Sequence, residues 1–164
     1  MLDTSQWHSV WDVTLKFAKA RLCKLPRPNI SCDSGSVWIR IDELECKRAF
    51  RHFTNLLNRA VYKHAFRRHG RRLNVIPVLE KERSGRWHYH LAIEPPTHLG
   101  SEAFAALIID CWLKTDWAFH DCLVRQNADA GWNNYLFKLR QKTELENWID
   151  CIDLDCLTNT IVGA

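Results

Sequence analysis

The sequence predicts an α+β fold: a central antiparallel β-sheet with helices packed on one face. Three observations carry that expectation. Short runs rich in β-branched and aromatic residues alternate apolar with polar positions. Between them, one long segment steps its apolar residues by three and four, the spacing of an amphipathic helix. Two later strand-like runs are separated by a short turn containing glycine, as in an antiparallel hairpin. The 164 residues, 46% hydrophobic and 26% charged, suit one ordered domain and exclude wholesale disorder. A chain of this length buries about two-thirds of its unfolded surface, enough for a core without disulfides or structural metal.

Residues 10–18 (VWDVTLKFA) mix β-branched, aromatic and alternating polar residues, and read as the first strand. Residues 22–35, with Pro26, Pro28, Asn29, Asp33 and Gly35, read as a loop. A second short strand covers residues 36–41 (SVWIRI). Asp42 followed by Glu45 has the form of a capping box with an acidic N-cap, so a helix starts there. It runs to about His69 and stops at Gly70. Cys46, Phe50, Phe53, Leu57, Ala60, Val61 and His64 form its buried stripe, which makes His64 a satisfied core histidine.

Lys47, Arg48, Arg51, Arg59, Lys63 and Arg67 fall mostly on the other faces, and the helix ends in the cluster Arg67, Arg68, Arg71 and Arg72. Residues 73–82 and 86–94 form a hairpin around Ser84-Gly85, closed by Pro95-Pro96. A second helix covers residues 101–114 with Ser101 as its cap, and a short strand follows at 118–124. Residues 129–142 read as a third helix. The domain is expected to span 1–143, with 144–164 an acidic C-terminal appendage.

Several function classes fall away early. No stretch approaches the roughly 20 apolar residues of a membrane span, and Asp3 and Gln6 do not suit a signal peptide. A cytoplasmic protein with no membrane partner is expected. The seven cysteines are odd in number and include no C-x-x-C pair, so reduced thiols are expected rather than a disulfide framework or a zinc site. Charge is divided unevenly. Residues 1–86 hold 18 Lys/Arg against 8 Asp/Glu, and residues 87–164 hold 5 against 11. A basic half of that kind suits a polyanionic partner, although solvated helix faces produce the same imbalance.

The chemistry concentrates in the hairpin. In Trp87-His88-Tyr89-His90-Leu91-Ala92-Ile93, the period of two puts His88 and His90 on one face and Tyr89, Leu91 and Ile93 on the other. Two imidazoles on one face chelate a divalent ion when an oxygen ligand joins them. Arg83-Ser84-Gly85 suits a three-residue loop with Gly85 left-handed, which sets Glu80 opposite His88 and Val78 opposite His90. Glu80 then stands beside both histidines. A two-residue loop would bring Lys81 over instead. Glu82 is the second choice of carboxylate and Glu94, which shares the parity of His90, the third.

Within the helix expected at 129–142, Tyr135 and Lys138 are three residues apart and share a helical face. Taken with the hairpin, they bring out a resemblance. HYHLAI at 88–93 resembles the histidine-hydrophobic-histidine signature of the HUH endonucleases, with Tyr89 a departure that adds a hydroxyl. YLFK at 135–138 resembles the Y-x-x-K signature of the single-tyrosine rolling-circle replication initiators in that family. VTLKF at 13–17 stands where the family has its first, weakly defined motif. The order of elements covers nearly the whole chain.

The resemblance implies the ferredoxin-like, RRM-like fold of an HUH nuclease. It implies that His88, His90 and Glu80 hold Mg²⁺ or Mn²⁺, and that Tyr135 attacks a phosphodiester, leaving a 3′-hydroxyl and a 5′-phosphotyrosine link. Lys138 would assist the tyrosine or position the metal or phosphate. The substrate would be single-stranded DNA at an origin or hairpin of a plasmid or phage. No Walker-type phosphate loop is present, so a helicase would be a separate partner or a separate segment. Leu139 stands where the family's short transposases carry glutamine, and no third histidine adjoins the pair as in relaxases. Initiation is therefore preferred over transposition or relaxase activity.

For DNA contacts, Arg67, Arg68, Arg71 and Arg72 are expected to hold the backbone, and Trp87 to stack on an unpaired base. Two other classes of function compete with the initiator reading. A catalytically silent nucleic-acid-binding module needs neither Tyr135 nor the metal. A metal-dependent hydrolase keeps the metal site without a covalent step.

Overall fold

The computed structural model describes residues 7–24 and 35–126. The elements are β1 (Trp11–Phe17), β2 (Ala20–Lys24), β3 (Ser36–Arg40), α1 (Glu43–Tyr62), α2 (His64–His69), β4 (Val75–Lys81), β5 (Trp87–Ile93), α3 (Ser101–Leu113) and β6 (Ala118–Arg125). The helix expected at 129–142, with Tyr135 and Lys138, and the appendage at 144–164 lie outside the described residues, as does most of the loop expected at 22–35.

Four strands pair antiparallel in the order β4-β5-β1-β6, while β2 and β3 form a separate two-stranded ribbon. Setting aside the ribbon and the short α2, the chain runs βαββαβ, the ferredoxin-like arrangement. Each long helix leads from one strand to a parallel strand two places away. The favoured hand of such crossovers puts both helices on the same side of the sheet. The α+β expectation, with helices on one sheet face, holds.

The core lies between sheet and helices. Val13, Leu15 and Phe17 from β1 and Tyr89, Leu91 and Ile93 from β5 meet Phe50, Phe53 and Leu57 from α1 and Phe104, Ile108 and Trp112 from α3. Phe50 stacks on Tyr89 at 4.2 Å between ring centroids, and Phe17 meets the edge of Trp112 at 5.0 Å. Cys46 is also buried here, and burial pushes its thiol up to about 12. Cys23, Cys46, Cys111 and Cys122 are all free thiols. No helix among the described residues is long and apolar enough to cross a membrane.

Asp42 caps α1 as expected, accepting from the Glu45 amide at 2.8 Å. The reciprocal half of the box is not made. The Glu45 carboxylate pairs instead with Arg48 at 2.6 Å and accepts from the Trp117 indole at 3.3 Å.

Four expectations need correction. The long helix does not run unbroken to His69, because Lys63 takes a positive φ of 47° and separates α1 from α2. The break takes α2 off the buried stripe, so His64 is exposed and not a core histidine. The N-cap of α3 is Gly100, not Ser101, and makes no side-chain cap bond. Finally, residues 22–24 are not loop but the end of β2, paired so that Leu22 faces Trp38 and Lys24 faces Ser36. Every residue of β3 is exposed. β3 itself covers no core, so the alternation of buried and exposed positions that marks most strands has no cause there.

Candidate metal centre

The turn joining β4 and β5 decides the site. Gly85 adopts φ 80°, its amide donates to the Glu82 carbonyl at 2.8 Å, and the Glu82 amide donates to the Arg86 carbonyl at 2.9 Å. Three residues thus fill the loop, and only a residue at ease in the left-handed region closes it cheaply. The register follows as expected: Glu80 opposite His88, Val78 opposite His90.

These side chains converge on the sheet face away from the helices. One ligand atom from each of Glu80, His88 and His90 lies within 4.8 Å of the others. His88 Nε2 is 3.0 Å from His90 Nε2 and 3.2 Å from Glu80 Oε2, and His90 Nε2 is 3.5 Å from the same oxygen. Separations of that size suit three ligands about 2 Å from a common centre, in octahedral or tetrahedral geometry. The group can hold a metal ion, and the spacing alone does not select which.

Electrostatics favour the same use. Burial by itself would raise the Glu80 carboxyl, but the hydrogen bond with His88 and the charges of His90 and His88 hold it below its ordinary value. Burial lowers His90 against the pull of Glu80, with His88 adding to the lowering. An ionised carboxylate beside a neutral imidazole is the form a divalent cation requires. Glu80 Oε1 and His88 Nδ1 are buried without a hydrogen-bond partner among the described residues. Leaving such atoms unpaired is costly; a cation at the centre would draw on the Glu80 carboxylate, while His88 Nδ1 points outward, on the Glu82 side.

Two residues that sequence reasoning missed complete this face, and both come from β1. Thr14 is the register partner of His90, and its Oγ1 lies 3.2 Å from His90 Nδ1. In the tautomer that carries hydrogen on Nδ1, that nitrogen donates to Thr14 and Nε2 turns its lone pair to the centre. Lys16 is the partner of His88, and its ammonium donates to Asp121 on β6 at 2.7 Å. Only the parity of VTLKF hinted at either residue; that β1 lies beside β5 is tertiary information.

The other expected site residues fall elsewhere. Glu82 approaches the outer nitrogen of His88 only to 4.0 Å and accepts from the Ser84 hydroxyl at 2.9 Å. Glu94 lies at the far end of β5, where it accepts from Asn74 at 2.6 Å and pairs with His8 at 2.8 Å.

Trp87 shares the parity of Tyr89, packs against the helix-side core and sits under Lys81 at 4.9 Å. It is therefore on the opposite face from the histidines, so stacking a base beside the metal is not its role. Arg67, Arg68, Arg71 and Arg72 are exposed, but they cluster before the start of β4. Glu80 is five residues along that strand from Val75, or about 17 Å. Arg71 lies over Tyr62 at 4.8 Å and Arg72 over Phe66 at 5.0 Å. The cluster is a separate basic surface and does not line the metal centre. Tyr135 and Lys138 lie outside the described residues.

No family model matches the chain, and neither a curated protein nor a solved structure matches it.

Proposed function

We propose that this chain is a metal-dependent endonuclease of the HUH type, which nicks and rejoins single-stranded DNA through a 5′-phosphotyrosine intermediate. Its setting would be the start of rolling-circle replication of a plasmid or phage in the cytoplasm. The observation that carries the reading is the convergence of Glu80, His88 and His90 on the helix-free face of a ferredoxin-like sheet. A module that only binds nucleic acid has no use for two desolvated imidazoles and a carboxylate held together.

In this reading Glu80, His88 and His90 hold Mg²⁺ or Mn²⁺, which when bound stabilises charge developing on the scissile phosphate. Thr14 fixes the ring of His90, and Lys16, paired with Asp121, borders the same face. The Tyr135 hydroxyl oxygen forms the new bond to phosphorus while the bond to the 3′-side oxygen breaks. The proton given up by the phenol balances the one taken by the departing 3′-hydroxyl. Tyrosine has a reference pKa of about 10 and needs electrostatic help near neutral pH, which Lys138 supplies. Because the phosphotyrosine conserves the phosphodiester bond energy, rejoining needs no ATP.

The test is a denaturing gel of the protein with labelled single-stranded DNA carrying candidate origin sequences, in Mn²⁺ or in EDTA. The expected result is a heat-stable protein–DNA adduct that needs metal and disappears in Tyr135→Phe. Cleavage without an adduct, unchanged in Tyr135→Phe, would replace this reading with a simple metal-dependent hydrolase. Binding without cleavage across many sequences, with and without metal, would leave a silent binding module.

A further inference from the structure

We propose that the β2–β3 ribbon is a docking platform for single-stranded DNA, with Trp38 stacking on an unpaired base and Lys24 and Arg40 holding flanking phosphates. The inference rests on the reading above only for its choice of DNA strand, and it concerns a surface apart from the metal centre. The pairing Ala20–Arg40, Leu22–Trp38 and Lys24–Ser36 puts these six residues on one face. Trp38 and Leu22 stand side by side at its middle, 69% and 55% exposed. Arg40 lies towards one end of the ribbon and Lys24 towards the other.

A large exposed aromatic beside an exposed leucine marks an interaction surface. Its charge chooses the partner: the two strands, ARLCK and SVWIR, carry three cations and no carboxylate. An aromatic platform between cations matches the alternation of bases and phosphates in an unpaired strand. The third cation, Arg21, is on the other face, where it pairs with Asp116 at 3.0 Å and covers the Trp117 ring at 4.7 Å. That contact ties the ribbon to the body and leaves the Trp38 face outward.

Position adds to the case. The ribbon leaves the sheet at the end of β1 that bears Lys16, the register partner of His88. Its root is held to the β4–β5 turn: Lys19 donates to the Ser84 carbonyl at 2.7 Å and Arg86 to the Phe17 carbonyl at 2.9 Å. The platform and the metal centre therefore flank the same end of the sheet, whereas the arginine cluster lies at the other.

The experiment is fluorescence anisotropy of the full chain with a labelled oligo(dT) of about 20 nucleotides in EDTA, so that no chemistry intervenes. A stacked base is worth about 1–3 kcal/mol, so Trp38→Ala is expected to weaken binding roughly 5- to 150-fold, with Trp38→Phe retaining most of the affinity. Replacing both Lys24 and Arg40 with alanine should reduce the slope of log affinity against log salt by about 1.4. Trp38→Ala affinity within twofold of wild type would overturn the proposal. So would unchanged DNA affinity with lost self-association on sedimentation, which would assign the surface to a second copy of the chain. The adduct gel keeps the two ideas separate. Metal-dependent adducts with unchanged Trp38→Ala binding would leave the nuclease without the platform, and Trp38-dependent binding without adducts would leave the platform without the nuclease.

Discussion

The two faces of β5 differ in what they contribute. Tyr89, Leu91 and Ile93 are fully buried and packed against aromatic side chains of α1 and α3, so the apolar surface they remove from water adds to stability. His88 and His90, interleaved with them, are mostly buried as well, yet they meet a carboxylate, a hydroxyl and each other. Their face even leaves Glu80 Oε1 and His88 Nδ1 without a hydrogen-bond partner among the described residues. Burial of that kind costs folding energy. One face supplies stability and the other spends part of it to hold polar atoms ready for a ligand.

The largest effect expected from this contrast is on the apolar side. Phe50→Ala removes a ring stacked on Tyr89 and should cost about 3–5 kcal/mol in urea or thermal unfolding. The fraction that remains folded should bind divalent metal as wild type does. A fall in its metal affinity would show that the faces are coupled. On the polar side the pattern inverts. His90→Ala should lower Mn²⁺ affinity by calorimetry at least about 100-fold, and Thr14→Val, which loses only the partner of the ring, about 10–100-fold. Each should lower metal-free stability by about 1–3 kcal/mol at most, the cost of leaving a former partner unpaired, and by less than Phe50→Ala. A loss as large as that of Phe50→Ala would make the histidines structural.

A smaller effect separates the faces by pH. His90 and Glu80 are both held below their ordinary values, so each contributes stability that is present above its unfolded pKa and lost as pH falls. In EDTA, the midpoint of thermal unfolding should decline as pH drops below about 6.5 for His90, and again below about 4.5 for Glu80. Cys46 works in the opposite direction. Its folded pKa of about 12 makes its contribution complete below about 9 and lost as pH rises beyond it. The acid edge should flatten in His90→Ala and the alkaline edge in Cys46→Val. An acid edge unchanged in His90→Ala would mean that other groups set it.

Much of this was legible in the chain. The Gly85 turn, the period of two in HYHLAI and the acidic Asp42 are local features, and local geometry is sufficient to place Glu80 opposite His88 and to start α1. The buried stripe of α1 could be read for the same reason, as far as Val61. Beyond it, Lys63 breaks the helix at a residue with no proline or glycine to announce it, and His64 was therefore misplaced.

What the sequence by itself determined is the set of elements whose signal is periodic or confined to a turn, together with the ligand triad that one hairpin carries. Tertiary structure decided the rest, because it depends on which strands become neighbours. Thr14 and Lys16 join the centre only because β1 pairs with β5, across more than 70 residues of chain. The arginine cluster leaves the centre because β4 runs about 17 Å from Val75 to Glu80. β3 with Trp38 was legible as a strand, but its partner β2 was read as loop, and the ribbon's position beside the candidate centre follows from where β1 ends.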